Sequence, residues 1–215
     1  MTHYIYLHGF ASSPLSAKAV DIKQRFAKRG IDLKVPDLNQ NDFSGLTLSR
    51  QLQQVAAEFS SPPLPTVIIG SSFGGLTAAW LAEKYPQVER IILLAPAFGF
   101  LNHWRAKLGK EKLEEWEREG VLPVYHYGKK QMLPLKYEFF KDCAGYAEGG
   151  LGRKVPTLIL HGIDDDVIPI QSSRDYAKSR NWVEVVELKS DHPLGDVVPQ
   201  IWQEIGRFCE LEAES

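Results

Sequence analysis

Val67-Ile68-Ile69-Gly70-Ser71-Ser72-Phe73-Gly74-Gly75-Leu76-Thr77-Ala78-Ala79 is the stretch around which the chain is organised. Its β-branched start reads as a buried strand and its end as a helix, with a Gly/Ser cluster between them. Inside the cluster, Gly70-Ser71-Ser72-Phe73-Gly74 has the spacing G-x-S-x-G. At a strand-to-helix turn this pattern holds a serine exposed above the carboxyl edge of a sheet. The turn is so tight that a Cβ two residues to either side of the serine would clash, so glycine belongs at both places. That register selects Ser72, which has Gly70 and Gly74 around it, whereas Ser71 would have Ile69 and Phe73. Phosphate-binding turns share the composition but not the pattern. A P-loop would need a lysine after its last glycine, and a dinucleotide fingerprint would need glycine where Ser72 stands.

The chain has 215 residues, enough for one domain with a sizeable core. An apolar share of 44% and a charged share of 24% describe an ordinary globular protein. The formal net charge of -2 gives the whole chain no electrostatic footprint for nucleic acid or an anionic membrane. No apolar run approaches the roughly 18 residues of a membrane span. Met1-Thr2-His3-Tyr4 lacks the basic start of a secretory signal. Cys143 and Cys209 lie far apart with no C-x-x-C spacing, which argues against a disulfide framework or structural zinc and for a reducing cytoplasm.

Strand patterns fall at Tyr4–Leu7, Leu33–Pro36, Thr66–Ile69, Arg90–Leu94, Thr157–Leu160 and Val183–Leu188. Helical spacing covers Ser16–Lys28, Ser44–Phe59, Phe73–Tyr85, Gln171–Ser179 and Asp196–Leu211. Alternating strands and helices, with several strands apolar throughout, predict an α/β fold: a mostly parallel sheet of about six strands covered on both faces. Ligands of such sheets bind beyond the carboxyl ends of the strands. A serine there is a weak nucleophile and needs a base, which in turn needs an orienting acid. The fifth strand runs into His161-Gly162-Ile163-Asp164-Asp165-Asp166-Val167-Ile168-Pro169, and the sixth into Lys189-Ser190-Asp191-His192. Serine, acid and histidine thus follow one another at three carboxyl ends.

With these motifs in place, the chain resembles the α/β-hydrolase superfamily. Its Leu7-His8-Gly9-Phe10-Ala11-Ser12-Ser13 and Gly70-Ser71-Ser72-Phe73-Gly74-Gly75 segments resemble the small bacterial YqiA-type esterases over nearly the whole length. The resemblance implies a single α/β-hydrolase domain over 1–215 with a helical cap insertion at about 97–153. It implies a Ser72, Asp165, His192 triad working without cofactor or metal. The family's acid loop, H-G-x-x-D-x-x-[VI]-P, puts the acid at Asp165, with Asp164 and Asp166 as the alternatives beside it. It also implies an oxyanion hole from the backbone N–H groups of Phe10 and Phe73. The full fold has two further strands before the first one here, so the resemblance implies a compact version with an edge strand open to solvent or a partner and an undetermined oligomeric state.

Other residues have plainer readings. His8 braces a loop, and His161 is a satisfied buried histidine. Asp191 is adjacent to His192 and poorly placed to orient it. His3, His103 and His126 have no partner in the pattern, and Cys143 is a small apolar filler. The insertion is dense in aromatics, from Phe98, Phe100 and Trp104 to Tyr137, Phe139 and Phe140, and Asn102–Gly120 reads as a charged amphipathic helix. Some of these rings form a local core and some line an acyl pocket. Arg105, Lys107, Lys129 and Lys130 could meet a thioester carrier. The expected function is a cytoplasmic serine esterase or thioesterase acting on a small-molecule substrate with a small to medium apolar acyl group. Its alternatives are acyl transfer, amide or C–C hydrolysis on the same triad, or a hydrolase-fold binding module without chemistry.

Overall fold

Continuous apolar runs become the sheet. The computed structural model describes residues 2–211, so Met1 and residues 212–215 of the expected 1–215 domain lie outside the described residues. In chain order the elements are β1 (His3–Leu7), α1 (Ala17–Lys28), β2 (Leu33–Lys34), α2 (Leu48–Ala57), β3 (Thr66–Ser71), α3 (Phe73–Lys84) and β4 (Val88–Leu94). There follow α4 (Phe100–Glu119), β5 (Val121–His126), β6 (Gln131–Lys136), α5 (Glu138–Ala144), a single 3-10 turn at Glu148–Gly150, β7 (Thr157–Gly162), α6 (Gln171–Ala177), β8 (Val183–Leu188) and α7 (Val198–Phe208). Among the described residues no helix is long and apolar enough to cross a membrane.

Six parallel strands form one sheet in the order β2-β1-β3-β4-β7-β8. Alternate residues feed two cores. Ile5, Leu7, Ile68, Leu93 and Ile159 face α2, α3 and the insertion, while Tyr6, Ile69, Ile92, Leu94 and Leu160 join α1 and α7 residues such as Ile22, Phe26 and Ile201. Both faces are thereby buried, which is why these strands read as unbroken apolar runs. The edge strand β2 has only two residues, with Lys34 exposed, so little unpaired backbone is presented there.

The strand order decides where a site can lie. The chain leaves β1 toward β2 on one side and returns to β3 on the other, which makes the β1/β3 boundary a topological switch point. Leu7 pairs with Gly70 across it, so the turns after β1 and β3 are neighbours above one crevice. Behind them α3 is buried from Phe73 to Ala82, an all-round apolar helix at the centre of the molecule.

Two elements depart from the sequence reading. The second helix starts not at Ser44 but after Thr47, whose side-chain oxygen accepts from the Arg50 N–H at 3.0 Å. The Ser44 carbonyl is used instead by the Lys136 N–H at 3.0 Å, which fastens the insertion to this loop. Between β4 and β7 the insertion holds α4 and α5 and also an antiparallel hairpin, β5 paired with β6, that the periodicity analysis does not anticipate. Gly109, at φ 75° and ψ 165°, kinks α4 in the middle.

Candidate active site

The turn between β3 and α3 is built from backbone contacts. A Cβ on Gly70 would lie 2.3 Å from the Gly74 carbonyl oxygen, and one on Gly74 would lie 2.3 Å from that of Leu7 and 2.6 Å from that of His8. No backbone can yield that far, so the two glycines are obligatory. Ser72 sits between them at φ 52° and ψ -116°. This sparsely populated conformation costs about 1–3 kcal/mol and persists only where the surroundings enforce it. Here the Ser72 N–H donates to the Leu94 carbonyl at 2.9 Å, and the Ser72 carbonyl accepts from Gly75 and Ala97 at 2.8 and 3.0 Å.

The Ser72 Oγ lies 3.0 Å from His192 Nε2, and His192 Nδ1 lies 2.7 Å from Asp165 Oδ2. The carboxylate can only accept, so Nδ1 carries the proton and Nε2 is left to accept from the serine hydroxyl. His192 arrives from the far edge of the sheet. Its loop must reach back over β7 and β4, three strand spacings or about 14 Å. Two contacts hold it there. Lys18 Nζ, on α1, donates to the Pro193 carbonyl at 2.8 Å, and the Ser190 hydroxyl donates to Asp196 Oδ1. Burial pushes the Lys18 ammonium down to about 8, against the pull of Asp191 and Asp165.

Of the three consecutive aspartates, only Asp165 meets His192. Asp164 turns outward to Lys189 Nζ at 2.7 Å, and Asp166 is exposed. Asp191, next to His192 in sequence, is exposed as well. The Asp165 side chain is fully buried. Burial works against its charge, but hydrogen bonds from His161, from His192 and from the Ile168 N–H outweigh it and hold the carboxyl below the usual range. Oδ1 takes the Val167 and Ile168 N–H groups at 2.9 and 2.8 Å, and Oδ2 takes the two imidazoles.

His161 is therefore more than a satisfied buried histidine. Its Nε2 lies 3.0 Å from Asp165 Oδ2 and 2.9 Å from the Ile168 carbonyl, both acceptors, so Nε2 holds the proton. Its Nδ1 then accepts from the Ser173 hydroxyl at 2.7 Å. The signal in the sequence was its place four residues before the acid in His161-Gly162-Ile163-Asp164-Asp165. His8 does brace a loop: Nδ1–H donates to the Gly9 carbonyl at 2.9 Å and Nε2 accepts from the Leu38 N–H at 3.0 Å. Cys143 is buried, and burial raises its thiol well above the ordinary range, as suits an apolar filler.

The turn after β1 lies directly against the serine, since a Cβ on Gly9 would stand 3.4 Å from that of Ser72. Phe10 follows in this turn. Phe73 opens α3, where the first N–H groups lack an acceptor inside the helix and favour negative charge. The rings of Phe10 and Phe73 meet edge to face at 6.3 Å and enter one aromatic cluster with Phe100, Trp104 and Phe139 of the insertion. Phe139 and Trp116 are buried in that cluster, whereas Trp104, Leu101 and Leu108 are only partly covered. The insertion thus packs by its rings onto Phe73, the residue after the serine, and onto Phe10 of the neighbouring turn.

The profile of the family described as "Uncharacterised protein family (UPF0227)" matches residues 3–209. The mitochondrial palmitoyl-protein thioesterase ABHD10 of Bos taurus is 27% identical over 137 residues, covering 60% of this chain and 45% of that protein. The 2-hydroxymuconate semialdehyde hydrolase of Pseudomonas sp. (strain CF600) is 25% identical over 150 residues, covering 56% and 52%. The chain spans about half the length of these curated relatives. Among solved structures, Est1E from Butyrivibrio proteoclasticus with ferulic acid bound superposes with a TM-score of 0.82 at 17% identity, covering 98% of this chain and 88% of that one. At that identity the likeness shows the fold alone.

Proposed function

This chain belongs to the UPF0227 family and to the α/β-hydrolase superfamily, and we propose that it is a serine hydrolase cleaving carboxylic esters or thioesters with a small to medium apolar acyl group. One observation carries the reading: a serine held in a strained turn, 3.0 Å from an imidazole whose other nitrogen is 2.7 Å from a buried carboxylate. In this reading the whole chain is one domain with the insertion as its cap, works in the cytoplasm and uses no cofactor.

Ser72 Oγ attacks the acyl carbon while His192 Nε2 takes its proton, a general-base step worth typically about 10²- to 10⁴-fold. Asp165 fixes the imidazole tautomer and stabilises the imidazolium without itself taking the proton. The Phe10 and Phe73 N–H groups receive the developing oxyanion, each worth about 3 kcal/mol. His192 then protonates the leaving alcohol or thiol, and water, activated by the same imidazole, releases the acyl group from Ser72. His161 acts as a positioning residue, donating to the same Asp165 Oδ2 that His192 does. The partly covered Trp104, Leu101 and Leu108 supply an apolar acyl wall.

The thioesterase name of the ABHD10 relatives favours a thioester among the substrates. A second reading, C–C bond hydrolysis on the same residues, is favoured by the name of the Pseudomonas relative. Intact-mass labelling with a fluorophosphonate, beside turnover of p-nitrophenyl esters and acyl thioesters, tests the proposal. One adduct on the wild type, none on Ser72→Ala and turnover lost with it are expected. A wild type that neither labels nor turns over would favour a binding module, and C–C cleavage without ester hydrolysis would favour the second reading.

A further inference from the structure

The hairpin β5–β6 is apolar on both of its faces. One face, with Leu122, Val124, His126, Leu133 and Leu135, packs inward. A sheet with one solvated side alternates apolar inward with polar outward. Here the outward positions pair Val121 with Lys136, Pro123 with Pro134 and Tyr125 with Met132, so five of six are apolar or aromatic. They are open to solvent, with Val121 at 42%, Tyr125 at 45% and Met132 at 57% exposure, and Tyr127 in the turn reaches 72%. Leu15, in the loop after β1, is exposed too, at 83%. That loop touches the hairpin turn, because a Cβ on Gly128 would lie 2.9 Å from that of Ser13.

Charge identifies what covers this face. The chain carries a net charge of -2, yet residues 121–137 hold Lys129, Lys130 and Lys136 and no aspartate or glutamate. All three lysines are exposed, and among the described residues none forms an ion pair. The nearest acids in sequence are already engaged, Glu119 with Arg118 and Glu138 with Lys141. A two-fold contact between copies through this face would set the lysines against a hairpin that carries no carboxylate of its own between residues 121 and 137. Tyrosines and a methionine rimmed by lysines match a layer whose outside is anionic and whose inside is hydrocarbon.

We infer that the outer face of the β5–β6 hairpin docks on an anionic phospholipid surface, with Lys129, Lys130 and Lys136 at the headgroups and Tyr125, Tyr127 and Met132 at the acyl boundary. The whole-chain charge conceals this because the compensating acids lie outside residues 121–137. Docking there would bring the surface beside the loop that carries Phe10, but the inference does not depend on the hydrolase reading.

Flotation of the full chain with phosphatidylcholine vesicles, and with vesicles that also contain phosphatidylglycerol, tests it. Binding to the anionic vesicles alone, fading as salt is added, is expected. Lys129→Glu with Lys130→Glu should lower partitioning at least about tenfold, and Tyr125→Ser with Met132→Ser by a similar factor. Thermal melting of both pairs, whose sites are exposed, checks that folding is intact. Equal binding to neutral vesicles, unchanged binding by either variant, or no binding at all overturns the inference. Sedimentation velocity adds one more such outcome: a dimer dispersed by Tyr125→Ser with Met132→Ser, without vesicle binding, would make the face a contact between copies.

Discussion

The β3–α3 turn and the insertion between β4 and β7 meet at one aromatic cluster, yet they are made by different physics. The turn is specified by main-chain atoms: Gly70 and Gly74 pack against carbonyl oxygens at distances no side chain survives. The insertion is specified by side chains, with Phe100, Trp104, Trp116 and Phe139 packed ring against ring and the Trp116 Nε1–H tied to the Leu135 carbonyl. Main-chain packing has one solution, whereas side-chain packing can be exchanged for other shapes of similar volume. In the proposed function, chemistry that needs a fixed atom rests on the first and selectivity that can vary on the second.

Substitutions sharpen that contrast, beginning with the largest effect. Ser72→Ala should reduce ester turnover by about 10⁴-fold or more and abolish the fluorophosphonate adduct, with the melting transition retained. Retained turnover would separate the turn from the chemistry. Gly74→Ala should lose both fold and activity, because its Cβ would meet the Leu7 and His8 carbonyls, a destabilisation of about 4 kcal/mol or more. Gly109→Ala in the insertion meets nothing within 4 Å and should lose about 1–3 kcal/mol, for a backbone conformation that glycine alone adopts readily. Similar melting temperatures for the two variants would erase the distinction drawn here.

His161→Leu removes a hydrogen bond to a charged group, worth about 1.5–3 kcal/mol, and should lower kcat by about 10- to 100-fold with KM steady. His161→Gln, which keeps an N–H donor, should recover part of that loss, and an effect on stability without one on kcat would make the residue merely structural. Trp104→Ala should move acyl-chain preference by about tenfold in KM while leaving kcat on an acetyl ester nearly unchanged. The smallest effect concerns acid stability. The folded Asp165 carboxyl is held below its unfolded value, so the unfolded chain takes up its proton first. Its stabilising contribution is complete above about pH 4 and is lost as pH falls further toward the folded value. Thermal melts should show a shallower acid limb for Asp165→Asn than for the wild type.

The elements of the sheet were legible because its central strands carry unbroken apolar runs, as in Val67-Ile68-Ile69 and Ile91-Ile92-Leu93-Leu94. The hairpin was not. Pro123 and Pro134 stand opposite each other within its strands, where proline argues against a strand, and its two apolar faces remove the alternation that would announce one. Ser72 was legible from its two glycines. Asp165 was singled out among three aspartates only by resemblance, while its burial and its second imidazole, His161, depend on how the turn after β7 folds under β8.

By itself the sequence determined what neighbours along the chain enforce on one another: the runs that must be buried, the turn that only glycines at 70 and 74 permit, and the serine that turn exposes. The tertiary structure alone decided which aspartate faces His192, that His161 shares it, and that a cationic apolar hairpin stands beside the loop of Phe10. The reason is distance. His192 and Ser72 are 120 residues apart, and the order of the strands, not any local pattern, brings them within 3.0 Å.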